Sequence, residues 1–136
     1  MQRYRVLVVL ATLWMLVACA LLPERTKIPP TEAQLVGRYE FGHSGFHETV
    51  VLATDGSFSR TLHPHLSDHS KIYKGGWKLE GEMLHFQYDQ GSEAGSESLR
   101  QAEVFWRGSN PAFVNLDDLK GDKVHEWWVY DWRGVE

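Results

Sequence analysis

Downstream of residue 34 the chain alternates apolar and polar positions with a period of two, the pattern of half-buried β-strands. In LVGRYEF, Leu35, Gly37, Tyr39 and Phe41 alternate with Val36, Arg38 and Glu40. HETVVLA and SFSRTLH flank the pair Asp55-Gly56, a strong hairpin signal. GGWKLEGEMLHFQY offers a second hairpin around Glu80-Gly81, with Trp77 and Leu79, then Leu84, Phe86 and Tyr88, at every second residue. ESLRQAEVFWRG, AFVNL and KVHEWWVYDWR complete the set, the last two joined through Lys120-Gly121-Asp122. The expected strands are 35–41, 47–54, 57–63, 70–79, 82–89, 97–107, 111–116 and 123–133. Their connections are too short for parallel crossovers, so neighbours in sequence should pair antiparallel as a meander. A meander of about eight strands leaves two raw edges unless it closes, and closure at that number gives a small barrel. The expected fold is therefore all-β, an antiparallel barrel behind an N-terminal signal helix.

The N-terminus follows a different pattern. In MQRYRVLVVLATLWMLVAC, Arg3 and Arg5 precede an apolar run from Val6 to Val17 interrupted only by Thr12, and small Ala18 stands before Cys19. That order of charge, apolar run and small residue is what an export signal with a cleavage site requires. Leu16-Val17-Ala18-Cys19 resembles the lipobox of bacterial lipoproteins, in which the cysteine sulfur is acylated and the chain is cut before it. The resemblance accounts for the chain having one cysteine and for its place. Two other readings are an uncleaved signal anchor, since apolar character runs on to Leu22, and a buried core helix with an incidental thiol. Intact mass separates them.

The resulting organisation is residues 1–18 as signal peptide, 19–34 as acylated cysteine and tether, and 35–136 as the β domain. LLPERTKIPPTEAQ holds three of the five prolines, and at about 3.1 Å per residue could stand the domain roughly 30 to 40 Å from its lipid. Thr31 and Gln34 match a capping box, which predicts one helical turn before the domain. Cleavage removes Arg3 and Arg5 and moves the formal charge from −4 to −6, so acyl chains rather than basic residues must hold the membrane. Scattered charge of both signs excludes the basic footprint of a nucleic-acid binder. Ala20 after the cysteine, by resemblance to lipoprotein sorting in enteric bacteria, implies an outer-membrane protein facing the periplasm.

Leu35-Val36-Gly37-Arg38-Tyr39 is similar to the G-x-W opening of lipocalin-like domains, with tyrosine replacing tryptophan. TVVLATDGSFSR and GGWKLEGEMLHF resemble hairpins of small lipoproteins of that type. The resemblance implies a binding module for a small apolar molecule or an envelope component. The functional reading of the aromatic positions is a ligand cavity lined by Tyr39, Phe86, Trp128 and Tyr130. The plainer alternative is that these rings fill the core, as aromatic side chains commonly do. On the last strand Trp127 and Val129 share the face opposite Trp128 and Tyr130, and apolar bulk on both faces calls for a cover or a protein partner.

Seven histidines are unusual for this length, and His63, His65 and His69 stand with Asp68 in seven residues. Imidazole and carboxylate at that density could bind zinc or copper, although the spacing matches no zinc motif and a solvated loop collects histidine too. Catalysis finds no constellation. Gly42-His43-Ser44-Gly45-Phe46 lacks the final glycine of a nucleophile elbow, and Asp117, Asp118 and Asp122 are out of order for a calcium loop. The expectation is a membrane-anchored binding lipoprotein and no enzyme. Its alternatives are an interaction protein docking an envelope partner and a metal-binding lipoprotein.

Overall fold

A computed structural model describes residues 28–43, 45–66, 68–92, 99–119 and 129–135. The proposed signal helix, Cys19, Trp127 and Trp128 lie outside them. After a one-turn helix α1 (Glu32–Leu35) come β1 (Gly37–His43), β2 (Phe46–Leu52), β3 (Ser57–Pro64) and β4 (Lys71–Glu80). Then follow β5 (Met83–Tyr88), β6 (Gln101–Arg107), β7 (Asn110–Asn115) and β8 (Val129–Gly134). Every strand pairs antiparallel with its sequence neighbour, and β8 returns to β1, closing the barrel. The all-β meander and its closure are as the alternation predicts.

Strand limits shift by a few residues. The first strand begins at Gly37, because Leu35 ends α1, and the sixth at Gln101. The expected start of the eighth, at 123, lies outside the described residues. The two central hairpin turns sit where expected. Gly56 and Gly81 take positive φ of 80° and 65°, which a β-carbon would strain, and Asp55 Oδ1 accepts from Ser57 N and Oγ at 2.9 and 2.6 Å. Those two bonds hold the Asp55 carboxyl below its ordinary pKa.

The two ends of the barrel are unlike. Residues 53–56, 81–82 and 108–109 turn the chain tightly at one end. At the other lie the described residues 65–66 and 68–70, 89–92 and 99–100, and the 3-10 turn Leu116–Asp118. The tight end is closed by segment 28–35, read from the sequence as the end of the tether. Pro30 and Leu35 are fully buried, and Tyr39 Oη inside the barrel donates to Leu35 O at 2.7 Å. Trp106 Nε1 donates to Ile28 O at 2.8 Å from the flank. The helix start is built as its sequence predicts: Thr31 N donates to Gln34 Oε1 at 2.9 Å.

Inward positions make one core. Tyr39 and Phe113 lie 4.7 Å apart between centroids, Phe113 and Tyr130 stack at 4.6 Å, Tyr130 and Phe41 at 4.8 Å, and Phe58 meets Phe86 edge-on at 5.0 Å. Gly75 makes this packing feasible. A β-carbon there would stand 2.0 Å from Gln87 O and 2.8 Å from Phe58 Cε1, so only glycine lets β4 approach β5 above that ring. Ala112, Val114 and Val129 point away from the barrel interior yet are buried, so the outer face of β7 and β8 is covered, as the apolar residues on both faces of the last strand require.

Candidate ligand site at the loop end of the barrel

Two charged residues occupy inward positions near the loop end. Glu48 alternates with Val50 and Leu52 on β2, and Arg60 with Phe58 and Leu62 on β3; by the alternation of a strand all six face the interior. Glu48 is 1% and Arg60 4% exposed. The hairpin register sets Glu48 opposite Leu62 and Arg60 opposite Val50, a diagonal that long side chains span. Arg60 Nε donates to Glu48 Oε1 at 2.5 Å and Nη2 to Oε2 at 3.0 Å, a bidentate pair.

Aromatic hydroxyls extend the pair across the barrel. Tyr130 Oη on β8 donates to Glu48 Oε1 at 2.8 Å. Arg60 Nη1 donates to Tyr88 Oη on β5 at 3.3 Å, and Tyr88 Oη donates in turn to Leu99 O at 3.0 Å. The guanidinium lies 5.9 Å from the centre of the Tyr73 ring on β4. One network thus joins β2, β3, β5 and β8.

The electrostatics shift Arg60, Tyr130 and Tyr88 in one direction. Burial would lower the Arg60 pKa, but the hydrogen bonds and charge of Glu48 outweigh it and hold the guanidinium above its ordinary value. Burial, then the Glu48 charge, pushes the Tyr130 phenol far up, so it remains a donor. Burial also raises Tyr88 despite the opposing Arg60 charge. All three move away from neutrality. These groups can orient and hold a ligand; they are not tuned to pass protons near pH 7.

Beside the network the barrel wall opens. β5 and β6 pair over Met83–Glu103, Leu84–Ala102 and His85–Gln101, with further bonds from Phe86 N to Arg100 O and from Val104 N to Glu82 O. Where that ladder ends lies a groove of about 560 Å³. β5 contributes His85, Phe86, Gln87 and Tyr88; the start of β6 contributes Arg100 and Gln101. Asn115, Leu116 and Asp117 close the far side, where Asn115 Oδ1 accepts from Asp117 N at 3.3 Å. Tyr88 belongs to both features: it lines the groove, and its hydroxyl receives Arg60. The lining is mainly polar, with Phe86, Tyr88 and Leu116 as apolar surface.

Of the residues expected to line an apolar cavity, Tyr39, Phe86 and Tyr130 each meet the ring of Phe113, in a packed interior. Phe86 alone also borders the groove. Trp128 lies outside the described residues. His63, His65, Asp68 and His69 do not converge: among the described residues no three His, Cys, Asp or Glu side chains gather where they could hold a metal ion. His65 and Asp68 are exposed on the β3–β4 connection, whereas His63 is still on the strand, its Nδ1 2.9 Å from Ser70 Oγ. The cause is the turn that begins after Pro64, which separates the loop residues from the strand face.

Glu48, Arg60 and Tyr88 were missed by reading the sequence for clusters. The available signal was a charge on an otherwise apolar alternating face, Glu48 in HETVVLA and Arg60 in SFSRTLH, of opposite sign on two strands joined by one hairpin. No family model, curated protein or solved structure matches the chain.

Proposed function

We propose that this protein is a bacterial envelope lipoprotein, anchored through acyl chains on Cys19, whose barrel is a non-catalytic binding module. Its ligand is an envelope component that combines an apolar surface with hydrogen-bonding groups, held in the groove beside Tyr88. The observation that carries this reading is that groove, set in the loop end of the barrel and backed by the buried Glu48–Arg60 pair. The rings in the barrel interior are packed, which favours a ligand at the mouth over one swallowed whole. The mainly polar lining favours an amphiphile over a plain hydrocarbon. The lipobox resemblance at Leu16-Val17-Ala18-Cys19 supports the attachment, and the outer membrane facing the periplasm is the location that Ala20 favours.

Two experiments test this. Intact mass of the protein expressed in a bacterial host should show loss of residues 1–18 and acyl mass on Cys19; an unmodified Cys19 with Met1 retained overturns the anchoring. For binding, amide shifts of the full protein in micelles are followed against fatty acids, short-chain phospholipids, quinones and soluble glycan fragments. Saturable shifts at Gln87, Gln101 and Asn115, weakened at least tenfold by Gln101→Trp, support the groove. Shifts elsewhere only, or none across the panel, remove it.

A further inference from the structure

The β2–β3 register that sets Glu48 and Arg60 inside also places two histidines outside. His47 and His63 are direct cross-strand partners, and since Glu48 and Leu62 face inward, both imidazoles project from the outer wall. Their ring centroids are 6.0 Å apart with planes inclined by 33°. With metal–nitrogen bonds of about 2.0 Å, a ring centre lies about 3 Å from the ion, so two rings sharing one ion stand roughly 4.5 to 6.5 Å apart. The observed spacing is within that range. Each ring is half-buried, so the strands constrain its orientation while one edge faces solvent.

The surroundings suit an ion as well. His63 Nδ1 is engaged by Ser70 Oγ at 2.9 Å. In the tautomer where Nδ1–H donates to the hydroxyl, the Nε2 lone pair is free, which is how a hydrogen-bonded neighbour orients a metal-ligating histidine. On the other side, Gly42 of β1 pairs with His47, and a β-carbon added there would meet nothing within 4 Å. Among the described residues the wall beside His47 is open.

We propose that His47 and His63 form a two-imidazole site for a divalent transition metal on the outer wall near the loop end, with Cu(II) preferred to Zn(II). Two nitrogen ligands leave positions open for water or for an incoming donor, and the preference follows from the general order of affinities for nitrogen sites. This site shares only His63 with the histidine loop and does not depend on the groove.

The test is calorimetry of the full protein in micelles at pH 7.5, titrated with Cu(II) or Zn(II) alone, for wild type, His47→Ala, His63→Ala and His65→Ala. One equivalent of Cu(II), bound more tightly than Zn(II) and weakened at least tenfold by either of the first two substitutions but less than twofold by His65→Ala, is the expected result. In parallel, substoichiometric Cu(II) added to wild type should broaden the imidazole resonances of His47 and His63 before those of His65 and His69, a readout that needs no variant to fold. Affinity unchanged in His47→Ala, or first broadening at His65 and His69, overturns the site.

Discussion

The tight-turn end and the loop end of this barrel solve the same problem, closing a cylinder of eight strands, with different chemistry. At the first, Pro30 and Leu35 plug the opening and Tyr39 Oη satisfies the helix carbonyl of Leu35. Apolar burial does the work and the hydroxyl finds a backbone acceptor. At the second, a buried carboxylate and guanidinium are held among phenols. Apolar burial needs no exact partner, whereas an ion pair withdrawn from water stabilises only when nearly every lone pair and proton is matched. The first end is built for stability. The second accepts charge where leucine and methionine would serve the fold as well.

The comparison breaks most visibly at the pair itself. Arg60→Met or Glu48→Leu alone leaves the partner charge buried without its counter-ion, and each is expected to cost about 3 to 5 kcal/mol in urea unfolding. At the tight-turn end, Leu35→Ala removes a fully buried side chain and should cost about 3 kcal/mol through lost burial and a residual cavity, with groove binding unchanged. A loss of binding in that variant would mean that the two ends are coupled. Tyr130→Phe removes one donor to Glu48 while the bidentate pair remains, and about 2 kcal/mol is the expected loss.

Alkali gives a further contrast, read without mutation. Tyr39, Tyr88 and Tyr130 all have raised pKa values, so the folded state holds their protons more tightly than the unfolded chain does. Their contribution is fully present below the unfolded value near 10 and is lost as pH rises toward their folded values. Phenolate absorbance from the buried Tyr39 and Tyr130 should therefore appear only together with unfolding. A reversible titration near pH 10 in the folded protein, accounting for all its tyrosines, would contradict their burial. The smallest effect belongs to exposed pairs such as Arg107–Asp131 at 2.9 Å and Arg133–Glu40 at 3.1 Å, where alanine should change stability by less than about 0.5 kcal/mol.

Much of this architecture is legible in the sequence because strand alternation and turn residues are local. Asp55-Gly56 and Glu80-Gly81 mark real turns, and Thr31 and Gln34 mark a real helix start. The site is less legible, since it depends on register and closure. Tyr130 meets Glu48 across 82 positions of sequence, a contact that exists only because β8 returns to β1. Inward alternation of aromatic positions describes a cavity wall and a filled core equally well, so the sequence leaves both open; ring size against barrel diameter decides between them. The histidines show the same limit. Density along the chain pointed to residues 63–69, while pairing across the hairpin brings His47 to His63.

The central claim is that the loop end keeps a buried charge network that the fold itself does not need. Its most direct test is the urea unfolding free energy of the triple variant Glu48→Leu/Arg60→Met/Tyr130→Phe, in which both charges and the hydroxyl directed at Glu48 are removed together. The expected value lies within about 1 kcal/mol of wild type or above it, as for other buried ion pairs replaced by apolar groups of similar volume. A loss approaching that of the two single charge variants combined would show that the network is what holds the barrel closed, and would contradict the claim.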